Sequence, residues 1–127
     1  MKSFAQHLAE EVKGTYTSDK YKVKVDDVIK LSKDIETQEK NVDDLIKTNS
    51  DTQTKEGLFA DLLKKPNKAF MKRVEDADMK YPILIDSDDY IIDGAHRLAK
   101  AYFAKQKTIK VKVITEKILK EAEKMNN

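Results

Sequence analysis

Two short apolar runs separated by an acidic turn constrain what this chain can fold into more than any other feature. Residues 82–86 read PILID and residues 90–93 read YIID, and residues 87–89 between them are Ser, Asp and Asp. Apolar runs of this length that flank turn-forming residues are typical of paired strands. Gly94 then breaks the second run. The pattern predicts a hairpin of two strands that ends at a glycine.

A helix, a strand and a second helix are predicted after this hairpin, over residues 95–105, 108–114 and 116–124. The strand, TIKVKVI, alternates apolar and lysine side chains, which predicts one buried face and one open, lysine-rich face. In the two helices the apolar side chains recur on one side: Leu98, Ala101 and Tyr102 in the first, and Ile118, Leu119 and Ala122 in the second.

The first half of the chain carries weaker signals. Residues 21–25 alternate as Tyr, Lys, Val, Lys and Val, which predicts a half-buried strand. Asp26 and Asp27 then favour a helix start, because negative charge is stabilised at the positive end of the helix dipole. The buried side of that helix is predicted to hold Val28, Ile29 and Leu31. Residues 32–55 are mostly polar and predict a weak helix flanked by mobile loops, with three apolar anchors: Val42, Leu45 and Ile46.

Two more helices precede the hairpin. Residues 57–63 read as a short apolar helix that ends near Lys65, because Pro66 disfavours the helical conformation in the residue before it. Asn67 is a suitable cap for the next helix. One face of that helix is predicted to carry Phe70, Val74 and Ala77.

The composition limits the chain to one compact domain. It has 127 residues, of which 39% are hydrophobic and 38% charged, which suits one domain with its own core. The formal net charge is only +2, so the electric field of the whole molecule does not mark a nucleic-acid binder. We expect a core domain over residues 21–115, best marked at 73–115, with helices over 1–20 and 116–127. The chain has no cysteine and no run near the roughly 20 apolar residues of a membrane span. A soluble, cytoplasmic protein is expected.

The junction between the second hairpin strand and the helix is the one place where the sequence indicates a binding site. The first N–H groups of a helix lie at the positive end of its dipole, so Gly94 and Ala95 can approach a phosphate closely. Arg97 can bind two phosphate oxygens with its planar fork. His96 can donate a hydrogen bond or carry a proton, and Asp93 can hold Mg²⁺ or orient His96. A structural interpretation stays open, in which Asp93 only caps the helix and His96 is a satisfied polar residue.

Residues 73–115 resemble the ParB-like domain found in many small phage and bacterial proteins, where a DG-x-HR-L turn follows a hairpin. The resemblance covers about a third of the chain and extends to KVKVDD, residues 22–27, which is similar to the opening strand of that family. It implies a mixed α+β fold of the ParB/sulfiredoxin superfamily, in which a small mixed sheet is flanked by helices.

The resemblance also implies a ligand, because in relatives the turn at the helix start binds nucleotide phosphates. It implies a nucleoside triphosphate with Mg²⁺, bound by Gly94, Ala95, His96 and Arg97, with Asp93 as the metal ligand. Asp93 and His96 are then the candidate catalytic residues of a phosphohydrolase or phosphotransferase, encoded by a phage.

The known members of the superfamily narrow this function. Sulfiredoxins need a catalytic cysteine where this chain has Ala95, so sulfiredoxin activity is rejected. Partition proteins that use CTP carry an arginine at the position of His96 and continue into DNA-binding and dimerisation domains, so a complete partition clamp is not expected. Free-serine kinases need a carboxylate that deprotonates the acceptor hydroxyl, and the candidates are Asp76, Asp78 and Asp93.

Two other functions remain open. The chain can be a non-enzymatic interaction or anti-defence protein that keeps the fold and binds a host or capsid protein. It can also be a DNA-binding or nuclease accessory protein, although it lacks a metal-binding cluster of the usual kind. Four lysines can line a DNA backbone, but alternating lysines also keep an exposed strand face soluble: Lys105, Lys107, Lys110 and Lys112.

The N-terminal residues carry a separate resemblance. Ser3 is a suitable cap for a helix that ends at Gly14, with apolar side chains on one face: Phe4, Leu8 and Val12. The run MKSFAQHLAE resembles the capsid-targeting leaders of internal head proteins in large tailed phages, which are trimmed after a Leu-x-Glu site, here Leu8-Ala9-Glu10. This resemblance implies a location inside the virion, and the alternative is an ordinary amphipathic helix.

Overall fold

The computed structural model describes residues 14–125, and these form a mixed α+β fold. The helix predicted from Ser3 and the leader site lie outside the described residues. Numbered in chain order, the elements are β1 (Thr15–Thr17), β2 (Lys22–Lys24), α1 (Val25–Leu31), β3 (Gln38–Asn41), α2 (Val42–Thr48), β4 (Gln53–Thr54), β5 (Gly57–Leu58), α3 (Phe59–Lys64), α4 (Lys68–Asp76), β6 (Ile83–Asp86), β7 (Ile91–Asp93), α5 (Ala95–Phe103), β8 (Thr108–Ile114) and α6 (Glu116–Lys124). Within this part of the chain, no helix is long and apolar enough to cross a membrane.

A four-stranded mixed sheet in the order β3-β8-β6-β7 lies at the centre. β6 and β8 are parallel, with Ile83 opposite Val111, and the other two pairings are antiparallel. One face packs against α2, α3, α4 and α5 through Ile83, Ile85 and Val111. The other face packs against the β1–β2 hairpin, α1 and α6 through Leu84, Ile92 and Ile114. The sheet is therefore covered on both sides, and all four residues of β6 are buried.

The predicted hairpin and helices of the second half are confirmed. β6 and β7 pair around a turn in which one oxygen of Asp86 accepts the backbone N–H groups of Asp88 and Tyr90, at 2.9 and 3.0 Å. Asn67 caps α4 by accepting the N–H of Phe70 at 2.9 Å. Leu119 and Ala122 of α6 are buried against the first hairpin and α1. The periodic signals were strong here because these elements bury a clear apolar face.

Two predictions of buried side chains are wrong. Ile29 is 44% exposed, because α1 turns Val25 and Val28 toward the core and leaves the next position outside. Tyr102 is 39% exposed and packs edge-on against Phe103, with ring centroids 5.6 Å apart. Each of these residues directly follows a buried residue of its helix and lies at the border of the buried face. Periodicity in the sequence does not tell which side of that border such a residue takes.

Four strands appear where the sequence predicted none. β1 pairs with β2, so the expected boundary at residue 20 falls inside a hairpin. β4 and β5 form a second hairpin. β4 lies in the region expected to contain mobile loops, whereas β5 takes the first two residues of the helix predicted over 57–63, which begins instead at Phe59. β3 pairs with β8 through its backbone, although its residues are all polar and mostly exposed. An edge strand that offers only main-chain hydrogen bonds leaves no apolar pattern in the sequence.

A buried asparagine at the end of α2 connects that helix to the β6–β7 hairpin. Asn49, which is fully buried, donates from its side-chain nitrogen to the carbonyls of Leu45 at 2.8 Å and Asp89 at 3.0 Å. Its side-chain oxygen accepts the N–H of Ile91 at 3.0 Å. This amide satisfies one N–H of β7, which is an edge strand of the sheet. A buried polar group with this many partners fixes the position of both segments.

Replacing Asn49 is therefore expected to destabilise the fold strongly. Asn49→Ala leaves the Ile91 N–H and two carbonyls without this partner, and we expect a loss of about 2–4 kcal/mol in the free energy of unfolding. Asn41→Ala is the matched control, because Asn41 is an exposed helix cap that accepts one N–H, and it should cost about 1 kcal/mol. Urea denaturation measures both. Equal losses for the two variants would contradict the role of Asn49 in holding α2 and β7 together.

A second buried polar contact, between Tyr16 and Asp86, makes the stability of the fold fall at alkaline pH. The Tyr16 hydroxyl donates to Asp86 at 2.7 Å in the core. Burial first, and then the negative charge of Asp86, raise the pKa of Tyr16 well above its ordinary value. Below about pH 10 this phenol is neutral in both states, whereas above about pH 10 only the unfolded chain releases its proton. Stability from this group is therefore present at lower pH and is lost as the pH rises.

We expect the wild-type chain to lose roughly 1.4 kcal/mol more stability than Tyr16→Phe between about pH 9 and about pH 11. Urea denaturation at each pH measures this difference. Tyr81→Phe is the control, because Tyr81 is exposed, and it should follow the wild type. Parallel curves for the wild type and Tyr16→Phe would contradict the assignment.

Candidate functional site

The predicted junction has the geometry of a strand that turns sharply into a helix. β7 ends at Asp93, Gly94 has a φ of 112°, and α5 begins at Ala95. A Cβ atom on Gly94 would lie 3.1 Å from the Arg97 guanidinium and 3.2 Å from Ile83. Both the left-handed backbone and the close contacts therefore require glycine at this position.

A cavity of about 1050 Å³ opens at this junction, at the end of the sheet where β6 begins and β7 ends. α4 lies on one side of it and the C-terminal part of α1 on the other. We call this cavity the α1–α4 groove. Its lining residues are Ile29, Ser32, Lys33, Ala69, Lys72, Arg73, Asp76, Ala77, Asp78, Tyr81, Pro82, Leu84, Asp93, Gly94, His96, Arg97 and Lys112. Four of the five predicted site residues are thus brought to one surface, and the fifth, Ala95, is fully buried beside them.

The charged side chains of the groove are mostly basic. Five lysine or arginine residues face three aspartates along its lining: Lys33, Lys72, Arg73, Arg97 and Lys112 against Asp76, Asp78 and Asp93. This excess is local, because the whole chain has a net charge of only +2. A concave surface with an excess of one sign of charge concentrates ligands of the opposite sign.

Arg97 is held in a fixed position at the start of α5. Its Nη2 donates to Asp93 at 2.7 Å and its Nη1 donates to the carbonyl of Pro82 at 3.2 Å. Its side chain is 14% exposed. The ion pair orients the guanidinium and offsets part of its charge. The structure thus gives Asp93 an arginine partner, and the role of Asp93 as a magnesium ligand stays a prediction.

A buried carboxylate that the sequence did not indicate holds His96 and Arg73. Glu56, with a side chain that is 3% exposed, lies 2.9 Å from Nε2 of His96 and forms an ion pair with Nε of Arg73 at 3.0 Å. The His96 ring also packs on Phe70, with ring centroids 5.6 Å apart. His96 therefore has a fixed orientation at the groove. A histidine held by a carboxylate is a common arrangement for proton transfer.

Glu56 lies in the tight turn between β4 and β5. The turn is closed by the Thr54 hydroxyl, which donates to the carbonyl of Gly57 at 2.8 Å, and Gly57 has a φ of 143°. The side chain of Asn67 also donates to the carbonyl of Glu56 at 3.1 Å. A glycine after Lys-Glu is a sequence signal for a turn. It carries no information about a partner 40 residues away.

Two lysines fix the helices that flank the groove. Lys100 of α5 donates to the carbonyls of Glu75 and Ala77 at 2.9 and 3.0 Å, at the end of α4. Lys112 of β8 donates to the carbonyl of Ser32 at 3.0 Å, just after α1. The last carbonyls of a helix lack intrahelical partners and bind cations well. These contacts hold the C-terminal ends of α4 and α1 beside the groove.

The four lysines proposed for DNA do not share one surface. Lys105 and Lys107 line a separate cavity of about 580 Å³ at the end of α5. Lys110 is exposed opposite Glu39 of β3. Lys112 lies in the α1–α4 groove, so the open lysine face expected for β8 is partly covered. A DNA-binding role for these residues stays a prediction.

The carboxylates proposed as kinase bases do lie along the groove. Asp76 pairs with Lys72 at 3.4 Å on the exposed side of α4, and Asp78 accepts the N–H of Lys80 at 3.0 Å. Within residues 14–125, no three histidine, aspartate or glutamate side chains converge as a metal site would require. A metal ion bound beside Asp93 would therefore need oxygen atoms of a bound small molecule to complete its coordination.

Comparison of the chain with protein-family models, with curated proteins and with solved structures gives no match.

Glu56 is expected to stabilise the site and the fold together. Glu56→Gln removes the charge that orients Arg73 and His96 inside the protein, and we expect a loss of about 1–3 kcal/mol in the free energy of unfolding. Asp76→Asn is the matched control, because its ion pair with Lys72 is exposed, and exposed pairs contribute little. Thermal or urea denaturation measures both, and an equally small effect of Glu56→Gln would contradict the role given to it.

Proposed function

We propose that this chain is a ParB-like domain of the ParB/sulfiredoxin superfamily and binds the phosphates of a nucleotide in the α1–α4 groove. One observation carries the proposal: the DG-x-HR-L turn opens directly into the α1–α4 groove, where basic side chains outnumber acidic ones. The volume of about 1050 Å³ is sufficient for a ligand of nucleotide size. The mixed sheet flanked by helices agrees with the fold that the resemblance implies.

Arg97 is the central phosphate contact in this proposal. The bonds to Asp93 and Pro82 use two of the five N–H donors of a guanidinium. A fixed guanidinium loses little conformational entropy when a ligand binds. Asp93 weakens its charge, so the phosphate also needs the more exposed Lys72 and Arg73 on α4. Gly94 keeps the space next to the guanidinium clear of a side chain.

His96 and Asp93 give the site its proposed chemistry. His96, oriented by Glu56, donates to a phosphate oxygen or carries the proton of an attacking hydroxyl or water. A magnesium ion would arrive with the nucleotide and take Asp93 as its protein carboxylate, since magnesium in such sites is bound by one or two carboxylates and by the phosphates. The ion would neutralise charge on the phosphates. Hydrolysis and transfer to an acceptor both use these residues.

A second candidate function is favoured by the apolar side chains of the groove. Tyr81 is 56% exposed and lies on the same surface as the exposed Ile29. Aromatic side chains beside basic ones are enriched where proteins bind other proteins. A non-enzymatic interaction protein that binds a host or capsid partner through this groove is therefore the main alternative.

Nucleotide binding separates the two candidates. We expect calorimetry with ATP, ADP, CTP or GTP and magnesium to show binding of at least one nucleotide. Arg97→Ala should weaken it about tenfold or more, since a charged hydrogen bond contributes about 1.5–3 kcal/mol. Lys72→Ala should weaken it without changing the melting temperature, because this side chain is exposed.

Lys120→Ala on α6 is the control, because this exposed lysine lies outside the residues that line the groove. It should bind as the wild type does. No binding of any nucleotide would contradict the proposal and favour the interaction protein. Release of inorganic phosphate that His96→Asn abolishes would identify a phosphohydrolase.

A further inference from the structure

The floor of the α1–α4 groove is a row of three residues that crosses the central sheet. Leu84 of β6 lies opposite Lys112 of β8 on one side and opposite Asp93 of β7 on the other. Directly opposed residues share one face of a sheet, and all three line the groove. Since neighbouring strands are about 4.8 Å apart, the backbones at Asp93 and Lys112 are roughly 10 Å apart. The row therefore has a charged residue at each end and an apolar side chain between them.

The two ends of this row face opposite ends of helices. α5 begins beside Asp93, so the positive end of its dipole lies there, together with Arg97. At the other end, Lys112 donates to the carbonyls of Ser32 and Lys33 at 3.0 and 3.3 Å, just after the negative end of α1. These carbonyls offset the charge of Lys112 and use two of the three N–H donors of its ammonium. The first end suits a phosphate, and the second suits a neutral hydrogen-bond acceptor.

We infer that the groove selects nucleotides whose base is a 6-oxopurine, guanine or hypoxanthine, and that Lys112 is the residue that recognises this base. The inference rests on the proposed function, which places the phosphates at Arg97. A purine nucleotide bound there spans the length of the row, with its ribose and base over Leu84 and the far edge of its base at Lys112. Lys33, which is exposed in the same lining, supplies a second donor at that edge.

The preference follows from the hydrogen-bonding chemistry of an ammonium group. A lysine side chain only donates hydrogen bonds, so it distinguishes bases by their acceptors. Guanine presents two acceptors on one edge, O6 and N7, whereas adenine presents an N6 amino group beside N7. Adenine in this position sets one donor against another and leaves the Lys112 ammonium without a partner on the base, which disfavours binding.

The apolar side chains of the groove match the faces of a base. Ile29 and Tyr81 are 44% and 56% exposed in the lining, and Leu84 lies at the floor. A phosphate gains nothing from these three side chains. A purine ring, by contrast, stacks on aromatic side chains and buries apolar surface on both of its faces. The combination of basic and apolar side chains thus corresponds to the two parts of one nucleotide.

Three triphosphates that differ only in the base test the preference: GTP, ITP and ATP. Contacts to the phosphates cancel in the ratio of two dissociation constants, so calorimetry on the full chain with magnesium isolates the base. We expect GTP and ITP to bind alike and ATP to bind about tenfold more weakly or less, since a charged hydrogen bond is lost. Equal affinities for GTP and ATP overturn this inference and leave the proposed function intact. Failure of every nucleotide to bind contradicts both.

Lys112→Gln tests the residue assigned to the base. A glutamine amide has an acceptor beside a donor and pairs with N6 and N7 of adenine. The preference for GTP over ATP therefore falls to about twofold or less. Lys110→Gln is the matched control, because Lys110 is exposed on the same face of β8 and lies outside the groove lining. It keeps the wild-type ratio. An unchanged ratio in Lys112→Gln overturns the assignment.

A measurement on the wild-type chain does not depend on how well the variant folds. At saturating GTP, we expect nuclear Overhauser effects between the H8 proton of the base and the methyl groups of Leu84 or Ile29. These contacts place the base on the row. Their absence, with GTP bound, overturns the inference.

Discussion

The parallel pairing of β6 with β8 is the constraint on which the rest of the structure depends. β6 is buried on both faces, so every side chain from Ile83 to Asp86 has a fixed neighbour. β8 also pairs with β3, and β6 with β7, so these two strands determine the order of the whole sheet. Layers of helices and a hairpin then cover each face. The end of β7, and with it the DG-x-HR-L turn, is placed by this pairing.

Polar side chains in the interior connect the layers with more precision than apolar packing provides. Asp86 binds the turn that follows β6 and also Tyr16 on the first hairpin. Asn49 connects the end of α2 with β7, and Glu56 connects the β4–β5 turn with α5 and α4. Each of these groups is buried with its hydrogen bonds satisfied, which specifies one arrangement of the segments. The Glu56 link holds two residues that line the groove, His96 and Arg73.

The sequence predicted the second half of the fold better than the first, for physical reasons. The hairpin, α4, α5, β8 and α6 bury clear apolar faces, so periodicity located them. The glycine and charged residues of the DG-x-HR-L turn indicated a candidate site, and four of its five residues line the groove. β3 and the β4–β5 hairpin are held by backbone hydrogen bonds and short turns, which leave little pattern. Glu56 and the pairing of Arg97 with Asp93 arise from tertiary contacts and turn geometry. No local spacing could have shown that Glu56 meets His96.

The place of β8 in the sheet has a consequence for how the protein is made. β3 near residue 40 and β6 near residue 85 both need β8, which ends at Ile114. During synthesis the ribosome releases these strands long before their common partner emerges. Pairings so distant in sequence form slowly, because a long loop must close first. The nascent chain therefore holds the apolar strand β6 without this partner until translation is almost past β8, and a chaperone that binds apolar segments has its opportunity in that interval.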